Sequence, residues 1–514
     1  MYRNPASGRN ATRTKRNGML AMVTAAAVVC GCAPARNGTS PDELVSVREL
    51  QRWHETKAAA GPTFAGSPAW RAHLEFVERA LRSRGVVDLA REPVPYRRWY
   101  TADDPRVGQW SLSVEGDPVP VASYWAYSGS TSEAGITAPL VWYDRERPPA
   151  ELEGRIVVFD VPPLPDPLPA MFRPPGHVYA TDDEPAPALP TEQWYQVNYP
   201  MRFGRFGDIL KRAGAAGGVV IFDMSPARAR GLYTFPLLSP GEVGVPGLYL
   251  DRQAGGVVRD AARAGRTATL TLRAHSEPAE PYFLYGFVPG RNYGNTADEF
   301  VLLVTHTDGP NLTQENGALG ILAMVDHFAR IPQNSRQRTL LVLLDPQHYM
   351  PGRHLVDWYE RHADLARRIV ASVGVEQLGQ REYAERGGQF APTGRPEMTL
   401  IFAQDNPRLI EMAVAAVRAE ALPRTRVRVP TRGQGQWAGP GDVAIKRKIP
   451  GFAISTDMTA YWSTVPGIES FDADLCRRQI AVLIRLTDGL LNATLPEIAA
   501  HGQNHGQRPA EDKP

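Results

Sequence analysis

From Pro281 to Ala499, short runs in which every position is apolar alternate with longer segments whose apolar positions recur at helical spacing. A run that is apolar at successive positions suits a strand buried on both faces, as at the centre of a parallel sheet. Strands are expected at 301–305, 339–344, 369–375, 398–403, 424–429 and 450–455, and helices near 316–329, 352–367, 406–420 and 471–491. This alternation predicts an α/β fold, a mixed, largely parallel sheet flanked by helices.

Upstream the same reading finds a helix that Ser67 would cap and Pro68 would open, with Trp70, Leu74, Val77 and Leu81 on one face and Gly85 after it. Short strands are expected at 110–114 and 119–127. A second α/β pattern begins near Gly154: strands at 155–161 and 219–223 enclose a helix at 206–216, then come a strand at 245–250, a helix at 253–264 and a strand at 267–273. Residues 162–200 interrupt this unit and are dense in proline, so an extended surface loop or flap is expected. The organisation that follows is a main domain built from 46–120 and 279–498, a smaller domain inserted at 121–278, and a polar, disordered tail at 499–514 in which His501 and His505 are solvated.

A chain of 514 residues is too long for one ordinary core, which agrees with this division. With 57 basic against 55 acidic residues the charge balance points to neither nucleic acid nor an anionic surface. The first residues change the picture more. Arg13, Lys15 and Arg16 precede the apolar run 19–29, the layout of a secretory signal and too short for a permanent membrane span. Val29-Cys30-Gly31-Cys32 resembles the lipobox of bacterial lipoproteins, with Cys30 where a small residue is usual, and implies cleavage before Cys32 and a lipid on its thiol. The expected location is therefore the cell envelope, with residues 1–32 a lipoprotein-type signal, 33–45 a tether and the membrane touched only through that lipid; plain secretion is the alternative. Cys476, in an apolar helix, reads as a small core residue.

Candidate chemistry gathers at 301–317, VLLVTHTDGPNLTQENG. The polar residues after the apolar run would emerge at the carboxyl end of a buried strand, where open α/β sheets place their sites. His306 and Asp308 would share a face there, and Glu315 and Asn316 stand just before an apolar helix. Imidazole and carboxylates converging on one crevice suit a divalent ion, zinc above all. The competing reading is a polar loop whose Asp, Asn and Gly residues make turns. Arg432, Gln434, Gln436 and Trp437 lie in the glycine-rich stretch TRGQGQWAGPGD, and Tyr461 and Trp462 in a later loop. They suggest an aromatic-walled substrate pocket, with core residues or ordinary turns as the alternative. The glycines lack the strand-then-helix setting of a phosphate cradle, and no Gly-x-Ser-x-Gly elbow occurs, which argues against nucleotide binding and a serine triad.

Two resemblances sharpen this. EGRIVVFDV, AGAAGGVVIFD and VPGLYLD resemble the strand and glycine pattern of a protease-associated domain. That insertion, followed by strand-His-x-Asp, an acidic residue with Asn-Gly opening a helix, and a second strand ending in polar residues, resembles the secreted two-zinc aminopeptidases of the M28 type over roughly residues 45–495. The resemblance implies His306 as first-metal histidine, Glu315 in the place of the bridging Asp, Asp308 orienting the histidine, and Glu376 as the acid offered to the first ion. It also exposes departures. A Glu-Glu pair, base then ligand, should follow strand 339–344, and the chain has Gln347 and His348. A glutamine cannot accept a proton at neutral pH. The last metal histidine is replaced by Trp462. Taken with these departures, the chain is expected to hold one zinc ion through His306, Glu315 and Glu376, with His348 as fourth ligand or proton shuttle and Asp308 or Asp345 as a substitute base. The activity implied is hydrolysis of a peptide or related amide-like bond in a peptide-like or small-molecule substrate. The alternative is a catalytically inactive binding or scaffold lipoprotein.

Overall fold

The computed structural model describes residues 44–166, 177–184, 195–197, 199, 205–234, 242–429, 439–457, 459–460 and 462–499. The expectations for the signal, Cys32 and tether, most of the proline-rich stretch, the tail, and Arg432, Gln436, Trp437 and Tyr461 lie outside them.

The apolar runs do form a central sheet. Its nine strands lie in the order Val87–Pro93, Tyr282–Val288, Thr339–Asp345, Phe300–His306, Ile369–Gly374, Gly451–Thr456, Thr399–Ala403, Thr425–Arg428, His177–Ala180. The four in the middle run parallel and the flanking ones bring in antiparallel pairs, so the sheet is mixed, as the alternation of strands and helices requires. Alternate residues of one strand go to opposite faces. Val301 and Leu303 pack with the helices Val47–Ala60, Pro68–Ser83, Gly317–Ala329, Pro407–Ala419 and Ala473–Asn492, whereas Leu302 and Val304 pack with His354–Arg361 and Gly441–Lys446. The sheet is buried on both sides, which is why its strands carry no polar alternation. Because the four central strands are parallel, His306, Asp345, Glu376 and Asp457 all emerge at one rim.

A second sheet of eight strands runs Asp117–Val119, Trp110–Val114, Thr267–Leu272, Ile136–Trp142, Ile156–Asp160, Gly217–Ile221, Gly247–Leu250, Ser123–Tyr124. It takes in two strands upstream of residue 121. The helix expected at 206–216 stops at Arg212, where Ala213 and Gly214 turn the chain into Gly217–Ile221. The two sheets are sutured beside the rim: Tyr233 N donates to Trp462 O at 2.6 Å and Thr464 N to Gly231 O at 2.9 Å. Phe64, Tyr233 and Tyr349 pack ring on ring across that seam.

One buried acid outside the expected ligand set makes stability depend on pH. Glu397 is fully buried and accepts bonds from Met398 N at 3.3 Å and Thr459 N at 3.1 Å, yet burial pushes its carboxyl up to about 8, against the hydrogen bonds from Thr459 and helped by Asp457. A carboxyl raised in the folded state keeps its proton there and loses it in the unfolded chain, so its contribution is complete below the ordinary carboxylate range and is lost as pH rises towards 8. Glu397→Gln keeps the shape and removes the titration. Thermal melts at pH 5 and pH 8 are expected to show a smaller fall in melting temperature for the variant than for the parent.

Candidate functional site

The strand Phe300–His306 delivers His306 to the rim, and the parallel register sets Asp345 directly beside it. Asp345 Oδ2 lies 3.4 Å from His306 Nδ1. Asp345 is therefore the carboxylate next to the histidine. Asp308, given that role by the resemblance, turns to the following loop instead, where its Oδ2 accepts from Tyr349 N at 2.7 Å. The segment between them is fixed from behind. Trp70 Nε1 donates to Thr307 Oγ1 at 3.0 Å, Thr307 Oγ1 donates to Asp345 O at 3.0 Å, and Thr63 and Gly309 exchange two backbone bonds of 3.0 Å.

Glu315 and Asn316 sit at the entry to the helix Gly317–Ala329. Gly317 is required there: a Cβ would stand 2.1 Å from both Thr305 Oγ1 and Val375 O, so only glycine lets the helix close onto the two strands. Asn316 does not cap its own helix. Its side chain brackets Leu378, accepting from Leu378 N at 2.8 Å and donating to Leu378 O at 2.7 Å, and this locks the turn that follows Glu376. Behind the loop, buried Lys57 donates to Asn311 O at 3.4 Å and Leu312 O at 3.3 Å. Burial lowers its ammonium to about 8, and the nearby Glu315 works against that.

The loop after Thr339–Asp345 supplies His348, stacked on His306 with ring centres 4.6 Å apart. His348 Nδ1 contacts Glu315 Oε1. Burial lowers the imidazole and raises the carboxyl, so burial disfavours the charged form of each. Gln347, the residue in the base position, is spent on its own loop: its Nε2 donates to Met350 O at 3.2 Å and its Oε1 accepts from His354 N at 2.7 Å.

Glu376 is aimed by strain. Its neighbour Gln377 adopts φ +57, uncommon for a residue with a side chain, and is held there by Ser455 Oγ, Thr456 N and Thr456 Oγ1, all donating to Gln377 Oε1 at 2.8–2.9 Å. Gly439 closes over the Glu376 carboxylate so tightly that a Cβ there would lie 2.2 Å from Oε2. Burial, with Glu315 adding to it, raises Glu376 to about 8. Gln377→Ala removes the acceptor that Ser455 and Thr456 share, and chemical denaturation is expected to register a loss of about 1–3 kcal/mol.

Trp462 does not line an opening: it is fully buried, in the apolar cluster that the second sheet shares with Tyr349, and held at φ +61. His306 is partly exposed at the rim, while Asp308, Glu315, Asp345 and Glu376 are buried. Gln377 and Lys57 were not marked as site residues by the sequence patterns, and Asp345 only as a substitute base, not as the neighbour of His306. A lysine at helical spacing from Leu50 and Trp53, on the buried side of its helix, was the available signal for Lys57.

The rim is rich in unspent ligating atoms. Among the described residues His306 Nδ1, Asp308 Oδ1, Glu315 Oε2, Asp345 Oδ2 and Glu376 Oε2 are buried without a hydrogen-bond partner. Their chemistry, one imidazole and several carboxylates, fits a divalent ion in kind. As they stand, with Glu315 turned onto His348, no group of three or more His, Cys, Asp or Glu side chains among the described residues is set to hold a metal ion.

The fold has solved counterparts. An aminopeptidase from Aneurinibacillus sp. strain AM-1 superimposes with a TM-score of 0.57 at 11% identity, covering 90% of this chain and 98% of that one. A zinc aminopeptidase from Bacillus subtilis gives 0.59 at 14% identity, covering 88% and 98%. A peptidase M28 precursor from Shewanella amazonensis SB2B gives 0.57 at 14%, covering 91% and 98%. No protein-family model and no curated protein sequence matches the chain.

Proposed function

We propose that the chain is an exported, metal-dependent hydrolase of the zinc-aminopeptidase type with an altered site, acting on a peptide or related amide-like bond. The observation that carries this reading is the set of buried, unspent atoms on His306, Glu315 and Glu376 at the rim. Uncompensated acids at such density are costly unless a cation or protons neutralise them. Aminopeptidase-like folds in the solved counterparts favour a peptide substrate.

In this reading His306, Glu315 and Glu376 would hold one zinc ion, and Glu315 would exchange its contact with His348 for the ion. Bound zinc would polarise the scissile carbonyl and ease deprotonation of water. Asp345 keeps the His306 ring oriented. Gln347 cannot take a proton, so the transfer falls to His348 or to Asp345, whose Oδ2, the oxygen facing His306, has no hydrogen-bond partner. Lys57 and the Asn316 bracket hold the Glu315 and Glu376 segments at fixed separation. The second sheet would be the protease-associated unit, and Cys32 the lipid-bearing residue that anchors the chain to the envelope.

A second reading, a peptidase-shaped binding protein without turnover, is favoured by the commitment of both ends of the Gln347 amide and the burial of Trp462. A screen of peptide, ester and glycoside substrates separates the two. Turnover that disappears in His306→Ala supports the hydrolase; no turnover that depends on His306 supports the binding protein.

A further inference from the structure

A polar pair on the same side of the sheet as Glu376 takes no part in the site described so far. Thr399–Ala403 lies between Gly451–Thr456 and Thr425–Arg428, with Leu400 opposite both Ser455 and Arg426, and Phe402 opposite both Ala453 and Arg428. Ile454, Ile401 and Val427 belong to the core under the long helices. Their neighbours Ser455, Leu400, Phe402, Arg426 and Arg428 are therefore on the other face, where Met398, Leu400, Phe402 and Ala453 form a small apolar floor.

The arginines on this face differ in what they hold. Arg426 is spent, on Asp182 at 2.6 Å, Thr425 O at 3.2 Å and Glu184 O. Arg428 is not. Its guanidinium, 9% exposed, comes no nearer to Asp457, 7% exposed, than 3.9 Å. Among the described residues Arg428 Nε and Asp457 Oδ2 have no hydrogen-bond partner. A buried donor and a buried acceptor side by side, each unspent, are costly in an empty protein. Ser455, whose side chain reaches the Glu376 carboxyl, lies two residues before Asp457, about 7 Å along an extended chain. Asp457 thus stands about 7 Å beyond the serine that reaches Glu376, a span that an extended peptide covers in about two residues.

We infer that Arg428 and Asp457 form a subsite for a backbone amide of the bound peptide, whose C=O accepts from Arg428 Nε and whose N–H donates to Asp457 Oδ2. An amide offers one acceptor and one donor in fixed relation, which matches the pair. A carboxylate would satisfy Arg428 but press against Asp457, and an ammonium would do the reverse. The inference rests on the peptidase-like reading and deepens it: the substrate is a peptide extending at least two residues past the bond at the rim, and single amino-acid derivatives leave the subsite empty.

The test is equilibrium binding by calorimetry on the full chain treated with EDTA, so that turnover plays no part. The probes are N-acetyl-tetraalanine amide, the same peptide with each amide replaced in turn by an ester, and N-acetyl-dialanine amide. The variant is Arg428→Met/Asp457→Leu, which removes both charges together and leaves neither buried alone; a melting curve checks that it folds. The expected result is that the variant binds the tetrapeptide about 10-fold more weakly, that one ester substitution costs the parent a similar factor and the variant nothing, and that the dipeptide binds both equally. Equal tetrapeptide binding by parent and variant, or no position at which an ester matters, overturns the subsite. A chain that hydrolyses peptides while the variant binds like the parent rejects the subsite and keeps the hydrolase. A chain that binds peptide through this pair and hydrolyses nothing does the opposite.

Discussion

Replacing His306 by alanine is expected to abolish hydrolysis, lowering kcat/KM by more than about 100-fold, and to leave the protein folded. Both halves follow from where the ring sits. His306 closes a buried strand but is itself at the rim, with a side chain 12% exposed, so its loss opens no sealed cavity in the core. What disappears is the imidazole among the unspent donors and the partner of Asp345. Partners one step removed from a ligand typically cost 10–100-fold when lost, and a ligand costs more. Asp345→Asn is the informative companion: it keeps the shape beside His306 and is expected to give an intermediate loss. Activity of His306→Ala near that of the parent would remove the ring from the chemistry.

Trp70→Ala is expected to be the most destabilising single change near the site, by about 3–5 kcal/mol. Trp70 is fully buried, packs edge-on against Tyr282 with ring centres 5.1 Å apart, and holds Thr307 through its indole N–H. The substitution leaves a cavity between helix and sheet and frees the turn that carries Asp308. Trp70→Phe keeps most of the packing and loses the hydrogen bond, for an expected cost of about 1–2 kcal/mol. Urea unfolding of the two variants separates packing from tethering, and a Trp70→Phe variant as stable as the parent would mean that the bond to Thr307 contributes nothing.

The central strands and the long helices were legible because burial on both faces leaves an uninterrupted apolar run, and burial on one face leaves a helical period. Elements outside those two cases were not. Val87–Pro93 is half exposed along its length and carries neither signal. The helix Val47–Ala60 hides its inward face because His54 and Lys57 stand there with Leu50 and Trp53. The hairpin Arg381–Arg386 with Gln389–Pro396 is solvated and patterned by its turn alone. At the site, residue types and spacing brought out His306 and Glu315, since a strand end and a helix start determine where they emerge, and the family resemblance added His348 and Glu376. The part played by Asp345 depends on interstrand register, and that of Gln377 on one left-handed backbone angle, neither of which is written in local sequence.

Metal content measured by elemental analysis, on the full chain purified without chelator, addresses the account at its centre. The expected result is about one zinc per chain, lost in His306→Ala. A folded parent protein that carries no metal and takes up none when dialysed against zinc would contradict it.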